Sequence, residues 1–150
     1  MNPKELVRKD RIIQYLDNIE RQIEDIKSIP VANKDFFLDR GNSIQIKAIK
    51  YSLACAIQDV TRICVHLASA LSLWRVRESE TEAILALSEA KIIPKEFFEK
   101  IKGMPSFRNR IINDYLPNEF DAAKLFENLQ NLDDFKNFSK YILEWISEDK

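Results

Sequence analysis

The chain has 150 residues, a formal net charge of −1, two glycines and one histidine. Average usage predicts about ten glycines in a chain of this length, so the composition excludes a Gly-rich phosphate loop and a dinucleotide-binding glycine fingerprint. One histidine excludes metal sites built on several histidines, and the near-neutral charge excludes a global field that attracts nucleic acid or a membrane.

The first half of the chain predicts two long helices. Asn2, Pro3 and Glu5 have the spacing of a helix N-terminus, and apolar residues then recur every three or four positions. A second such pattern runs from about Ser43 to Leu73 and is interleaved with alanines and serines. Because small side chains let other helices approach closely, we expect this helix to lie centrally in a bundle or to form a dimer contact as well.

The second half predicts shorter helices between capping residues. Ser79–Glu82 is a capping box for a third helix, and Pro94 opens a fourth. Ser106 is the expected N-cap of a fifth helix that reaches about Tyr115, and Asp121 is the expected cap of the C-terminal region. The sequence therefore predicts an all-α, antiparallel bundle of four to five main helices plus short connecting helices. We expect residues 1–150 to form one domain.

The cysteines and the histidine favour structural roles. Cys55 and Cys64 are separated by about 13.5 Å along the second helix, which is too far for a disulfide. Unpaired cysteines, with no signal peptide and no long apolar span, predict a cytoplasmic protein that does not contact a membrane. His66 lies among apolar residues of the same helix, where a hydrogen-bonded packing role is more common than a catalytic one.

Residues 107–115 carry the pattern that points to chemistry. On an α-helix Arg108 and Tyr115 are nearly eclipsed, so an arginine and a tyrosine project together from a largely apolar face. Asn109 and Asn113 are four residues apart along one edge of that helix. This is the one segment of the chain where polar groups of different types are expected to converge.

An arginine on the core side of a helix is costly unless it binds an anion or several acceptors. Two interpretations of Arg108 follow. In the first it is a buried arginine paired with a bundle carboxylate, and Asp59 and Glu82 are the candidates. In the second it binds an anion from outside the bundle.

The segment resembles the motif of HEPN domains, which is an arginine, usually followed by asparagine, with a histidine four to six residues on. A tyrosine two residues beyond the histidine position is typical of the HepT branch. In this chain the motif positions are Arg108, Asn109, Asn113 and Tyr115. The long helix with His66, residues 79–96, the lead-in at 104–109 and the closing helix at 129–143 resemble the same branch. The resemblance covers most of residues 40–146.

The resemblance implies a fold, an activity and partners. It implies a HEPN-like helical bundle, paired as a homodimer so that the two motifs line a shared cleft. The implied activity is that of a toxin that cleaves cellular RNA, such as tRNA, without a metal or another cofactor. The implied partner is a minimal nucleotidyltransferase, the MNT antitoxin, which neutralises the toxin by attaching AMP to Tyr115. Arg108 takes the phosphate-binding role and Asn109 positions the motif.

The chain departs from the family pattern at Asn113, which occupies the position of the family's catalytic histidine. Asparagine does not titrate near neutral pH, and loss of acid–base catalysis costs about 10²–10⁴-fold in rate. Three interpretations stay open: a catalytically weakened or inactive member that binds RNA or its partner, a detoxified variant, or slow cleavage by Arg108 and other polar groups. Two alternatives come from other functional classes. One is a non-catalytic nucleotide- or substrate-binding subunit of a minimal nucleotidyltransferase, and the other is a purely structural helical dimer.

Overall fold

The computed structural model describes residues 3–114 and 118–148, and all regular structure in those residues is helical. The α-helices are α1 (Lys9–Lys27), α2 (Ser43–Ala70), α3 (Glu80–Glu89), α4 (Lys95–Ile101), α5 (Met104–Asn109), α6 (Glu119–Gln130) and α7 (Asp133–Ser147). Short 3-10 helices cover Pro3–Leu6, Lys34–Leu38 and Arg40–Asn42, and a π-helical turn covers Arg110–Asp114. The predicted all-α class is confirmed.

Helices α1 and α2 pack against each other and run in opposite directions. The start of α1 meets the end of α2, where the Arg8 amide donates to His66, and Asn18 in mid-α1 donates to Asp59 in mid-α2. The apolar seam predicted for α1 is buried, at Ile12, Leu16, Ile19, Ile23 and Ile26. Full burial of each such side chain contributes about 1.5–3 kcal/mol, so this antiparallel pair is a large part of the core.

The beginning of the first helix differs from the prediction. A 3-10 turn over Pro3–Leu6 precedes α1, which begins only at Lys9. Asn2, the predicted cap, lies outside the described residues. The chain bends between the two helices because Val7 is buried in the core and the next amide, that of Arg8, is bound by His66.

Helix α2 is the centre of the bundle and contacts α1, α3, α5 and α7. Its buried small residues are Ser52, Ala54, Ala56 and Ala68. Small side chains shorten the distance to neighbouring helices, and the predicted central position is confirmed. Its outward side still carries an exposed Tyr51, which lies on the same side as the site described below.

The predicted Ser79 cap is confirmed, and the structure shows a second cap at Asn33. The Ser79 hydroxyl accepts from the Glu82 amide at 3.1 Å and begins α3. Asn33 caps the 3-10 helix over Lys34–Leu38. In both cases the capping oxygen satisfies an amide that has no partner within the helix.

Two other predicted caps are wrong. Ser106 lies inside α5, which begins at Met104 with Pro105 in its first turn. Asp121 lies inside α6, where Asn118 is the cap and accepts from the Asp121 amide at 2.9 Å. Helix α5 can begin at Met104 because proline needs no amide partner in a first turn. Asp121 does not cap α6 because its carboxylate is bound to Arg110.

Buried apolar side chains from α1 through α7 form one connected core. Between Pro3 and Asp114, and between Asn118 and Glu148, the structure has no helix with the length and apolarity needed to cross a bilayer. The described helices therefore bury their apolar faces against each other, and α3 and α5 both pack against α2.

Candidate functional site

The site segment begins as an α-helix and continues as a wider one. Helix α5 ends at Asn109, and Arg110–Asp114 form a π-helical turn. The sequence predicts an unbroken α-helix to about Tyr115, so the structure departs from the prediction here. The wider turn keeps Ile111 in the core while Arg110 reaches Asp121 on α6. Turns of this type are frequent at functional sites.

Arg108 is buried and donates hydrogen bonds from all three of its guanidinium nitrogens. Nη1 and Nη2 donate to the two carboxylate oxygens of Glu80 on α3, at 3.0 Å and 2.7 Å. On α2, Gln58 Oε1 accepts from Nη1 at 3.0 Å and Thr61 Oγ1 accepts from it at 3.4 Å. Asn109 Oδ1 accepts from Nε at 3.2 Å and from Nη2 at 3.0 Å. Three helices therefore hold the guanidinium.

The Arg108–Glu80 pair dominates the electrostatics of the site. The Arg108 side chain is 10% exposed and that of Glu80 is 35% exposed. The hydrogen bond from Arg108 lowers the pKa of Glu80, against the partial burial that would raise it. The same hydrogen bond raises the pKa of Arg108. Both groups are therefore charged at neutral pH.

The predicted carboxylate partners of Arg108 are wrong, although a carboxylate partner exists. Asp59 accepts from Asn18 and forms an ion pair with Arg62 at 3.3 Å, and Glu82 is exposed. Glu80 takes the role because it is the first residue of α3, beside the point where α5 crosses α2.

The other motif residues lie in different environments. Asn109 is exposed and holds the Arg108 guanidinium from the side. Asn113 is exposed in the π-helical turn. Tyr115 lies outside the described residues. The shared face of Arg108 and Tyr115 assumed α-helical geometry, which does not hold across Arg110–Asp114.

Arg110 links the site segment to α6. Its Nε and Nη2 donate to one oxygen of Asp121 at 2.9 Å and 2.6 Å. Its guanidinium also lies over the Phe120 ring, 5.2 Å from the centroid. Asp121 is buried, so this pair ties the residues after Arg108 to α6.

A groove of about 480 Å³ lies between α2 and the Arg108–Ile112 segment. We call it the α2 groove. Among the residues that line it are Lys47, Lys50, Tyr51, Gln58, Arg108 and Ile112. Arg108 thus lines an open groove despite its burial, and two lysines line the same groove.

His66 has a structural role. Its Nε2 accepts from the Arg8 amide at 3.0 Å, so the ring is neutral in this contact. Partial burial lowers the pKa of His66, and the positive charges of Arg11 and Arg8 lower it further. His66 lies about one and a half turns of α2 beyond Thr61. It contacts the start of α1, whereas Thr61 contacts Arg108 on α5.

The residues that sequence reasoning missed are Glu80, Gln58 and Thr61. Glu80 was assigned only to the capping box of α3, where an acidic first turn is ordinary. Gln58 and Thr61 are polar residues three apart on a mostly apolar helix, and that interruption of the apolar face was the available signal. Among the described residues, no group of three His, Cys, Asp or Glu side chains is arranged to hold a metal ion.

Comparison with known proteins identifies relatives that match most of the chain. The sequence model of the family described as Ribonuclease HepT-like matches residues 19–142. No curated protein matches the chain.

Solved structures share the fold. The chain resembles the MntA-HpeT toxin–antitoxin with substitutions, at 22% identity and a TM-score of 0.75, over 90% of this chain and 98% of that one. It resembles a tri-AMPylated HEPN toxin of Shewanella oneidensis in complex with MNT antitoxin at 22% identity and a TM-score of 0.75, over 89% and 96% of the chains. A toxin–antitoxin with AMP-PNP matches at 20% identity and a TM-score of 0.74, over 90% and 98%.

Proposed function

The chain belongs to the Ribonuclease HepT-like family, and from that premise we propose that it is the toxin of a HEPN/MNT toxin–antitoxin pair. The proposed activity is metal-independent cleavage of cellular RNA, such as tRNA. The proposed partner is a nucleotidyltransferase antitoxin that attaches AMP to Tyr115. The fold similarity to an AMPylated HEPN toxin in complex with MNT antitoxin supports this assignment.

The observation that carries the proposal is the position of Arg108 in the wall of the α2 groove. A guanidinium held by three helices has a fixed orientation, and its planar fork matches the oxygens of a phosphate. Lys47 and Lys50 line the same groove and add positive charge. A phosphodiester entering the groove would therefore meet a preorganised cation, which is the requirement for stabilising charge that develops at phosphorus.

The chemistry also needs proton transfer, and here the chain is deficient. In metal-independent cleavage the 2′-oxygen bonds to phosphorus and loses its proton, while the bond from phosphorus to the 5′-oxygen breaks and that oxygen gains a proton. A histidine at the motif position suits both transfers. Asn113 is exposed at that position and its amide does not titrate. We therefore propose slow cleavage or none in this chain.

A second candidate function is favoured by the hydrogen bonding of Arg108. Glu80, Gln58, Thr61 and Asn109 accept from all of its nitrogens, which is the pattern of a satisfied structural arginine. With Asn113 in place of histidine, the pattern favours a non-catalytic subunit that binds nucleotide, substrate or a nucleotidyltransferase. If the chain is a ribonuclease, an RNA phosphate must compete with Glu80 for the Arg108 guanidinium. A non-catalytic subunit needs no such competition.

The decisive experiment restores the missing base. Cleavage of a fluorophore–quencher RNA by the purified chain is compared with that by Asn113→His, in buffer containing EDTA. We expect Asn113→His to raise the rate by about 10²–10⁴-fold, because imidazole supplies the acid–base step. The gain should vanish in the Asn113→His/Arg108→Lys double variant, since lysine keeps the charge but loses the fork.

Thermal unfolding of each variant serves as the control for folding. An unchanged rate in well-folded Asn113→His would contradict the ribonuclease proposal for this chain. A stable complex of the same variant with the cognate nucleotidyltransferase would then support the non-catalytic subunit. Pairing of two subunits around the motif, and a cytoplasmic location, remain predictions that belong with the toxin assignment.

A further inference from the structure

One face of α2 lines the α2 groove, which extends to Arg108. Lys47, Lys50, Tyr51 and Gln58 all line the groove, and their spacings of three, one and seven place them on one side of the helix. From Lys47 to Gln58 the stripe is about 16 Å long at 1.5 Å per residue. The site is therefore an elongated groove and not a pocket for one small group.

The charge of the groove is positive. Arg108, Lys47 and Lys50 line it, and none of the described lining residues carries a carboxylate. Partial burial and the neighbouring charge of Lys47 lower the pKa of Lys50, while Asp121 raises it. Two lysines held close together in a partly desolvated groove favour an anionic ligand.

Tyr51 gives the groove an aromatic surface. Its side chain is 69% exposed, although it stands on the central helix of the bundle. A hydrogen bond with the Cys55 thiol raises the pKa of Tyr51, so the ring is neutral and its hydroxyl end is held. An exposed aromatic ring between cationic side chains is the arrangement with which proteins bind single-stranded nucleic acid, through base stacking and backbone phosphates.

We propose that the α2 groove is a single-stranded RNA subsite in which Lys47 and Lys50 bind backbone phosphates and Tyr51 stacks on a base. The strand then continues to Arg108. The subsite rests on the proposed ribonuclease function, since it directs RNA to that residue. It requires no acid–base group and so acts in the chain as it stands, with Asn113.

A second copy of the chain suits the lysine end of the groove less well than the Arg108 end, around which two subunits are expected to pair. In a two-fold symmetric contact the same patch meets itself, which would bring Lys47 and Lys50 towards their own like-charged copies. Exposed Ile112, at 62%, gives the groove an apolar rim that a protein partner would also use. The test below separates the two occupants.

The test measures binding and not cleavage. Fluorescence anisotropy of a labelled 12-residue oligouridylate is followed with the unaltered chain and with Lys47→Gln/Lys50→Gln. We expect at least tenfold weaker binding in the double variant. We also expect the slope of log affinity against log salt to become shallower by about 1.4, because two phosphate contacts on a single strand are lost. Lys136→Gln/Lys140→Gln, on exposed positions of α7, is the matched control and should bind within twofold of the unaltered chain.

Tyr51 is tested with a conservative pair. Tyr51→Ser should weaken binding by roughly 5- to 100-fold through loss of stacking, whereas Tyr51→Phe keeps the ring and should bind normally. Sedimentation of each variant reports the oligomeric state in parallel.

Three outcomes overturn the proposal in distinguishable ways. If the unaltered chain binds no RNA, the subsite and the proposed function both fail. If it binds RNA and all groove variants bind equally well, the subsite alone fails. If the groove variants change the oligomeric state while RNA affinity is retained, the groove is an interface between two copies.

Discussion

Arg108 has the carboxylate partner that one interpretation of its sequence position required, and its anion-binding role stays a prediction. It is a buried arginine with a carboxylate partner, and it also lines an open groove. The partner, Glu80, occupies two of the guanidinium's donors at 3.0 Å and 2.7 Å. A phosphate and a carboxylate present similar oxygens to that fork, so Glu80 both fixes Arg108 and competes with RNA for it.

The competition predicts opposite effects of Glu80→Gln on stability and on RNA binding. The neutral amide weakens the pair and should lower the free energy of unfolding by about 1 kcal/mol, a value discounted because Glu80 is partly exposed. Removing the negative charge should also tighten RNA binding severalfold. Chemical denaturation and anisotropy measure the two effects. RNA binding that weakens as stability falls would show that Glu80 only positions Arg108.

The lowered pKa of Glu80 adds a pH signature to the same comparison. A group with a lowered pKa in the folded state stabilises the fold above its ordinary pKa of 4.5, and that stabilisation is lost as the pH falls through the folded value. The stability difference between the unaltered chain and Glu80→Gln should therefore be largest near neutral pH and shrink below about pH 4. A constant difference would contradict the role of ionised Glu80.

At the scale of elements, the ends of helices depend on side chains that lie far away in sequence. The start of α1 depends on His66 of α2, which accepts from the Arg8 amide at 3.0 Å. The start of α6 depends on Asn118 because the alternative cap, Asp121, is bound by Arg110. The π-helical turn after α5 places Asn113 outside an ordinary α-helical register.

The contact at the start of α1 predicts a pH-dependent stability. Neutral His66 accepts a hydrogen bond that the protonated ring cannot accept, and its pKa is lowered in the fold. The stabilisation is thus complete above the ordinary pKa of 6.5 and is lost as the pH falls below it. The Tm should fall by about 2 °C more between pH 7.5 and pH 5 in the unaltered chain than in His66→Gln.

Glutamine at position 66 offers an acceptor oxygen that does not titrate, so it is the matched control for the ring. His66→Leu, which has no acceptor, should be less stable than the unaltered chain at pH 7.5. Identical Tm profiles for the unaltered chain and His66→Gln would contradict the proposed role of the ring nitrogen.

At the scale of the whole molecule, α2 connects the core to the site. One side of α2 is buried against α1, and Gln58 and Thr61 on the same helix hold Arg108. Glu80 approaches from α3 and Asn109 from α5. The site is therefore a product of the packing of three helices, and loss of that packing would remove the partners that hold Arg108.

The family assignment predicts a covalent modification that is independent of catalysis. Incubation of the chain with ATP and the cognate nucleotidyltransferase should add the mass of AMP, with loss of pyrophosphate, and Tyr115→Phe should abolish the addition. Intact-mass spectrometry measures both. Because the acceptor is a hydroxyl, Asn113→His should be modified as the unaltered chain is. A mass increase that persists in Tyr115→Phe would reject Tyr115 as the acceptor.

Much of the fold was predictable because it depends on local patterns. The apolar seam of α1, the small residues of α2 and the Ser79 cap of α3 act within a turn or two of chain. The errors came at the starts of α5 and α6. Ser106 and Asp121 were predicted as caps, but α5 begins at Met104 and Asn118 caps α6; a local pattern does not reveal that the Asp121 carboxylate is bound by Arg110.

The sequence by itself determined the helical class, the order of the main helices and the motif at Arg108, because periodicity, capping and residue spacing are properties of neighbouring residues. Only the tertiary structure decided that Glu80 is the partner of Arg108, that His66 holds the start of α1, and that Lys47 and Tyr51 share a groove with the motif. Those contacts join residues that are far apart along the chain. They are set by how the helices pack, which the spacing of residues within one helix does not specify.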